Sequence, residues 1–330
     1  MSQYLQFDDD SDDELFVKKP ANIKLGLCCL NTELRDQKKN PVFCSRGMIR
    51  KTFSVERAKE VALKNIADIK PMVSWNTKHN ISHYRLSSDM LPHFTDAETE
   101  PYTLDFCKDQ LKEAGDYCKH CGHTVTMHPG QFNQVGAQTQ KVFDSTCKDL
   151  KMHADILDLM EIDQNGIICI HGGGLYGDKE SATRRWIDQF DELPKNVKKR
   201  LAIENCEKCY SARDCLTIAQ ECKIPMIFDS HHYDCYSILH PDELQERAED
   251  LMGEIVDTWK RDDRNPVMHI SEQAPGKRIG AHSDYIEKIP DYMLTLPEEY
   301  NCMLHIEVEA KMKEKAIKHL MDKYSELEFC

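Results

Sequence analysis

Lys24-Leu25-Gly26-Leu27-Cys28-Cys29-Leu30-Asn31 is the stretch on which the fold turns. Its apolar run reads as a buried strand, and the residues after that run separate two architectures. A doubly wound sheet usually carries a Gly-rich phosphate turn after its first strand. Here Cys28-Cys29-Leu30-Asn31 stand in that place. Outward from Lys24–Leu30 lie seven more short apolar runs: Ser82–Leu86, Thr124–Met127, Gly166–Ile170, Leu201–Glu204, Met226–Asp229, Val267–Ser271 and Cys302–Val308. Amphipathic stretches separate them, at Ser54–Ile69, Tyr102–Cys121, Lys141–Met160, Glu180–Phe190, Ala212–Cys222, Pro241–Trp259 and Ala310–Tyr324. Eight such βα units in about 300 residues predict one (β/α)₈ TIM barrel of the α/β class. Residues 21–330 form that single domain, and residues 1–20, acidic and poor in large apolar side chains, read as a disordered tail.

Composition narrows the setting. The chain has 330 residues, 40% of them hydrophobic and 30% charged, without an apolar run of transmembrane length. The N-terminus runs from Met1-Ser2-Gln3-Tyr4 into acid, unlike a signal peptide. An intracellular protein is expected, cytoplasmic or nuclear, neither secreted nor membrane-bound, and a monomer. Its 15 cysteines are then read as reduced thiols. Cys118-x-x-Cys121 with His123, and Cys206-x-x-Cys209, resemble two halves of a zinc site, but free thiols are the simpler reading. The net charge of −14, of which the first 20 residues carry −4, argues against a broad basic face for nucleic acid. Part of the remainder belongs to carboxylates that bound cations would neutralise.

The carboxyl ends of barrel strands carry the active site. Strand three ends in Met127-His128-Pro129-Gly130-Gln131, strand four in His171-Gly172-Gly173-Gly174 and strand five in Glu204-Asn205. Strand six ends in Asp229-Ser230-His231-His232, strand seven holds His269, and the loop after it brings His282-Ser283-Asp284. Strand eight ends in Glu307-Val308-Glu309. Six consecutive strands finishing in histidine or carboxylate point to a metal cluster. Imidazole with carboxylate suits Mn²⁺, Zn²⁺ or Fe²⁺ better than Ca²⁺. So many donors would serve two or three ions about 3.5–4 Å apart, the arrangement that hydrolyses phosphodiesters. Aldose–ketose isomerisation on a metal barrel is the rival chemistry.

At these motifs the sequence resembles the ultraviolet-damage endonucleases, barrel enzymes related in fold to endonuclease IV. The matching pieces are Leu25-Gly26 with Asn31, Tyr84-Arg85-Leu86-Ser87-Ser88-Asp89, His128-Pro129-Gly130-Gln131, His171-x-Gly-Gly and Tyr176-Gly177-Asp178-Lys179-Glu180. Glu204-Asn205 with Lys208, Asp229-x-His-His, His269-x-Ser271, His282-Ser283-Asp284-Tyr285 and Glu309-Ala310-Lys311 complete them. The resemblance implies up to three divalent ions, Mn²⁺ first and Zn²⁺ or Mg²⁺ next. They would be held by His128, His171, Glu204, Asp229, His232, His269, His282 and Glu309. Glu204 would bridge, and catalysis would rest on Glu204, His128, His171, Asp229, His232 and Glu309. Glu307 competes with Glu309, since the two share a face by strand alternation.

It also implies cleavage of double-stranded DNA immediately 5′ of cyclobutane dimers and 6-4 photoproducts, leaving a 3′-hydroxyl. A lesion that unstacks cheaply costs less to extrude. The probing pair is Gln131-Phe132, where the family has Gln-Tyr, and the strand-one tyrosine is replaced by Leu27. Val267 stands where a lysine is usual, and Cys206 and Cys209 replace acidic positions. The expected DNA contacts are Gln131, Phe132, Leu27, Asn31 and Arg85, with Lys179, Lys208, Lys277 and Arg278 as a basic rim. An abasic-site endonuclease of the endonuclease IV type and a metal-dependent sugar isomerase are the alternatives.

Overall fold

Strands buried on both faces read as continuous apolar runs, and the barrel uses its eight runs in that way. The computed structural model describes residues 18–330. Its barrel strands are β1 (Ile23–Cys28), β2 (His83–Leu86), β3 (Thr124–Met127) and β4 (Ile168–His171). They continue with β5 (Leu201–Glu204), β6 (Met226–Asp229), β7 (Val267–Ile270) and β8 (Leu304–Val308). Each pairs in parallel with the next, and β8 returns to β1, Ile23 opposite Leu304 and Leu27 opposite Val308, to close the barrel. The (β/α)₈ expectation is met strand for strand.

Alternation along the strands sorts two kinds of side chain. One set, including Leu25, Leu27, Tyr84, Leu86, Ile168, Ile170 and Phe228, joins the helices in a continuous apolar layer. The other set faces the bore, where Cys169, Ala202, Ile227 and Val267 make a small apolar cluster and the remaining strands bring polar side chains. Glu307 of β8 touches His83 and Arg85 of β2, Thr126 of β3 and His269 of β7, a reach available only across the interior. Gly26 makes room for this: a Cβ there would lie 2.4 Å from the His83 ring.

Helices cover the outside. Asp178 caps Lys179–Phe190 through Ser181, and Ser211 with Asp214 forms a capping box on Ala212–Cys222, both on the β-to-α side of the barrel. The stretch read as helical over Ser54–Ile69 is the helix Val55–Ala67, and a second helix not marked in the sequence pattern, Ile69–Lys78, follows it after Asp68. The helical pattern at Pro241–Trp259 is helical only over Ala248–Lys260. A further helix at Ser230–Leu239 has no counterpart in the sequence pattern; Asp229 caps it, accepting from the His232 N–H at 2.6 Å. Near the closure, buried Glu314 accepts the Thr32 backbone N–H at 2.7 Å and so ties the last helix to the short helix Thr32–Arg35 that follows β1.

The tail expected over residues 1–20 falls mostly outside the described residues. Its last two, Lys19 and Pro20, pair with Leu327 and Glu328 as a short parallel strand.

Candidate metal centre

At the carboxyl ends of the strands, Glu204 is the side chain around which the others collect. Its Oε2 lies 2.9 Å from His128 Nε2 and 3.8 Å from His171 Nδ1. Its Oε1 lies 3.0 Å from His269 Nδ1 and 3.4 Å from His232 Nδ1. Four imidazoles thus converge on one buried carboxylate. Asp229 stands beside them, its Oδ2 4.0 Å from His269 Nδ1. Glu309 Oε1 is 3.6 Å from the same nitrogen, and Glu309 Oε2 is 3.6 Å from His282 Nδ1. All eight expected ligand side chains therefore form one connected group, with His282 at its more open edge.

Local structure explains the convergence. Glu204 ends β5, and the Asn205 amide after it grips the neighbouring strand, donating to the Asp229 carbonyl and accepting the Asp229 N–H at 2.9 Å each. Asp229 is then doubly committed: Oδ1 caps a helix, while Oδ2 is buried without a partner. His171 Nδ1 is likewise buried and unpartnered. Orphaned donor atoms aimed at one pocket are what a site for divalent cations requires. Ligand atoms of His128, Cys169, Glu204 and His269 lie within 4.8 Å of one another, as do those of His171, Glu204 and His232. Both groups contain Glu204, so the donor set fits a carboxylate shared between ions.

The electrostatics agree. Burial pushes the Asp229 carboxyl above its usual range, and Glu204 and Glu309 add to the push. Burial acts the same way on Glu204, but His171 and His269 outweigh it and hold that carboxyl well below its usual range. Burial drives His171 down to about 4, which keeps the neutral form that ligates metals. His232 moves the other way, to about 11: burial opposes its charge, yet Asp229 and Glu204 overcome it. A pocket this rich in carboxylate has a single permanently cationic side chain among these neighbours, Arg85.

That arginine corrects an expectation. Arg85 does not reach toward DNA; it lies in the bore, paired with Glu309 and, at 2.9 Å, with Glu307. Asn31 is also committed elsewhere: it is fully buried and caps the helix Thr32–Arg35, accepting from the Leu34 N–H at 2.9 Å. Leu27 belongs to the apolar layer between strands and helices at 1% exposure, because its position in β1 points away from the bore. Lys179 is held by Asp214 at 3.0 Å, Tyr236 at 2.8 Å and Glu243 at 3.4 Å, so it is no free rim charge.

The remaining DNA-contact candidates are exposed. Phe132 is 65% exposed, with Gln131 beside it. Among the described residues the Lys208 ammonium pairs only with Glu207, at 3.5 Å. Lys277 and Arg278 are exposed at the tip of a loop that Gln273 fastens, donating to the Arg278 carbonyl and accepting the Gly280 N–H, each at 2.9 Å. A cleft of about 680 Å³ opens between His128 and Phe132, with Cys29, Ser88, Asp89 and Gly130 on its walls.

Three participants escape a reading of the sequence: Cys169, His83 and Thr126. Cys169 places its Sγ 3.0 Å from Glu204 Oε2; its place two residues before His171, on the same strand face, was the available signal. Glu307 is saturated by His83, Thr126, Arg85 and His269, which leaves Glu309 the freer carboxylate on β8. Nothing local in the sequence announces His83 or Thr126.

Known proteins resemble this chain in sequence and in fold. The family described as UV-endonuclease UvdE matches residues 23–329. A protein of Acanthamoeba polyphaga mimivirus that carries a UV-damage endonuclease name is 35% identical over 316 residues, covering 93% of this chain and 92% of its own. The UV-damage endonuclease of Schizosaccharomyces pombe is 33% identical over 339 residues, 97% of this chain but 54% of the yeast protein, so the chain spans about half of that relative. Among solved structures, SacUVDE is similar with a TM-score of 0.78 at 30% identity, covering 92% of this chain and 100% of that one. Endonuclease IV from Thermus thermophilus, with a TM-score of 0.54 at 12% identity over 92% of this chain and 99% of its own, shares the fold.

Proposed function

This chain belongs to the UV-endonuclease UvdE family, and from that premise we propose that it is a divalent-metal-dependent endodeoxyribonuclease cutting the phosphodiester immediately 5′ of ultraviolet photoproducts in double-stranded DNA. The observation that carries the metal dependence is Glu204 standing among four histidines from neighbouring strands, with the unpartnered Asp229 Oδ2 at its side. His128, His171, Glu204, Asp229, His232, His269, His282 and Glu309 would hold up to three ions, Mn²⁺ foremost. When bound, such ions activate water and offset the negative charge that builds on the phosphodiester.

The chain's own residues have distinct tasks. Glu204 would be the shared ligand, and Asn205 keeps it in register with Asp229. Glu307 and Arg85 fix His269 and Glu309 from below. Lys208, Lys277 and Arg278 attract the phosphate backbone locally on a chain whose overall charge repels it. Phe132 and Gln131 probe the stack, and the adjoining cleft is large enough to receive bases that a lesion has loosened.

The test compares three duplexes in Mn²⁺: one with a single cyclobutane dimer, one with a single abasic site, one intact. Nicking 5′ of the dimer, abolished by chelation, is expected; activity confined to the abasic duplex would refute the lesion assignment. Phe132→Ala should cost about 1–3 kcal/mol in binding the dimer-containing duplex, the range for one stacked base, with a smaller effect on the cutting rate at saturation. Unchanged discrimination between damaged and intact duplex would remove Phe132 from the probe.

A further inference from the structure

We propose that Tyr176 is a further contact for damaged DNA, a platform on which one unstacked base lies; this rests on the lesion reading above. Among the described residues, the exposed Phe, Tyr and Trp side chains are Phe132, Tyr176 and Tyr285, at 65%, 43% and 38%. All three lie in loops that follow the carboxyl ends of strands, after β3, β4 and β7, on the face that carries the candidate metal centre. An aromatic ring held out to water at a nucleic-acid face offers stacking to any base, whatever the sequence.

Their surroundings single out Tyr176. The His319 ring stands edge-on to Tyr285, with centroids 5.5 Å apart. Over Tyr176 lies Arg185 instead, its guanidinium carbon 5.2 Å from the ring centre. That guanidinium is itself fixed, Nε donating to the Gly136 carbonyl at 3.0 Å. The Tyr176 hydroxyl donates to Gln134 Oε1, two residues beyond Phe132 in the probing loop. The Tyr176 backbone has a φ of 54°, in the left-handed region that bulky side chains seldom adopt. Strain of this kind persists where the surroundings over-determine it, and it gathers at sites of binding.

Turn, hydroxyl and guanidinium therefore hold one flat ring in place. A ring immobilised beforehand loses little freedom when a base joins it. The cation on the ring completes a sandwich of base, tyrosine and arginine. Extruding a dimer strips its neighbours of stacking partners. Phe132 serves one of them, and Tyr176, tied to the same loop, serves another.

The experiment uses the full chain in Mn²⁺ and a duplex with one cyclobutane dimer, its cut position protected by a methylphosphonate so that binding is read without cutting. 2-Aminopurine is placed in turn at each position beside and opposite the dimer. At one position the native chain should quench the fluorescence more than Tyr176→Ala does, and Tyr176→Phe should keep that quenching. Tyr176→Ala should bind the damaged duplex roughly 5- to 150-fold more weakly, the factor for one stacked base. Tyr176→Phe should stay within about threefold of the native chain, since the ring remains. Where the alanine variant folds poorly, Tyr176→Leu, which fills the space without a ring, carries the same expectation. Native affinity in the ringless variants overturns the proposal, and so does quenching that is alike at every position; selective binding by the native chain then still supports the lesion reading. A loss in Tyr176→Phe as large as in Tyr176→Ala also overturns it, leaving the hydroxyl as a brace for Gln134. A native chain that binds damaged and intact duplex equally overturns both.

Discussion

Glu204 gives up most when it changes least. Glu204→Gln keeps the volume and removes the charge that two ions would share, so nicking should fall by at least about 10²-fold, the upper range for loss of a group that supports a metal ligand. Far-ultraviolet circular dichroism should remain that of the native chain; activity within a few-fold of native would contradict the bridging role. Arg85 makes the contrasting case. Buried between Glu307 and Glu309, it is a structural counter-charge, and removing one member of a buried pair costs about 3–5 kcal/mol. Arg85→Met should show that loss in urea denaturation, while the salt dependence of DNA binding stays unchanged. A shallower salt slope with native stability would return Arg85 to the DNA interface.

At the level of elements, the same side chains that end strands also begin helices. Asp229 finishes β6 and caps Ser230–Leu239, so strand end, proposed ligand and helix start are fixed together. Ser211 does comparable work beyond β5: its capping box with Asp214 anchors Ala212–Cys222 directly after the loop that carries Asn205 and the cysteine pair. Ser211→Ala should cost about 0.5–2 kcal/mol, measured as a lower urea midpoint with an unaltered slope. No change would mean that the neighbouring contacts hold this helix start without the cap. The helix at Ser230–Leu239 is invisible to periodicity because its first residues, Ser230-His231-His232, are polar yet buried by the site.

For the molecule as a whole, the bore of the barrel combines an apolar cluster of Cys169, Ala202, Ile227 and Val267 with a charged and hydrogen-bonded group about Glu307, and its buried histidines make stability respond to acid. Burial holds His123 neutral, drawing it from 6.5 down to about 4. The unfolded chain takes up a proton there first as pH falls, so the stabilisation is complete above about pH 6.5 and is lost progressively down to about 4. At about 1.4 kcal/mol per unit, the loss approaches roughly 3 kcal/mol. His123→Gln should flatten the melting temperature against pH across that window; an undiminished slope would exclude His123 as its source. Among the described residues no helix is long and apolar enough to cross a membrane.

Strand number, strand order and the ring of histidines and carboxylates were legible in the chain, because buried parallel strands are written as unbroken apolar runs and a strand's last residue inherits a place at the mouth. The choice of Glu309 over Glu307 was only half legible: alternation put both on one face, and the contacts of Glu307 across the bore leave Glu309 the freer carboxylate. Arg85, Asn31, Leu27 and Lys179 looked like DNA contacts, and only tertiary structure assigned them to a salt bridge, a helix cap, the apolar layer and a surface network. Sequence spacing fixes which face of an element a residue occupies. Whether that face meets solvent or a partner from a distant strand depends on closure of the barrel, which no local stretch encodes.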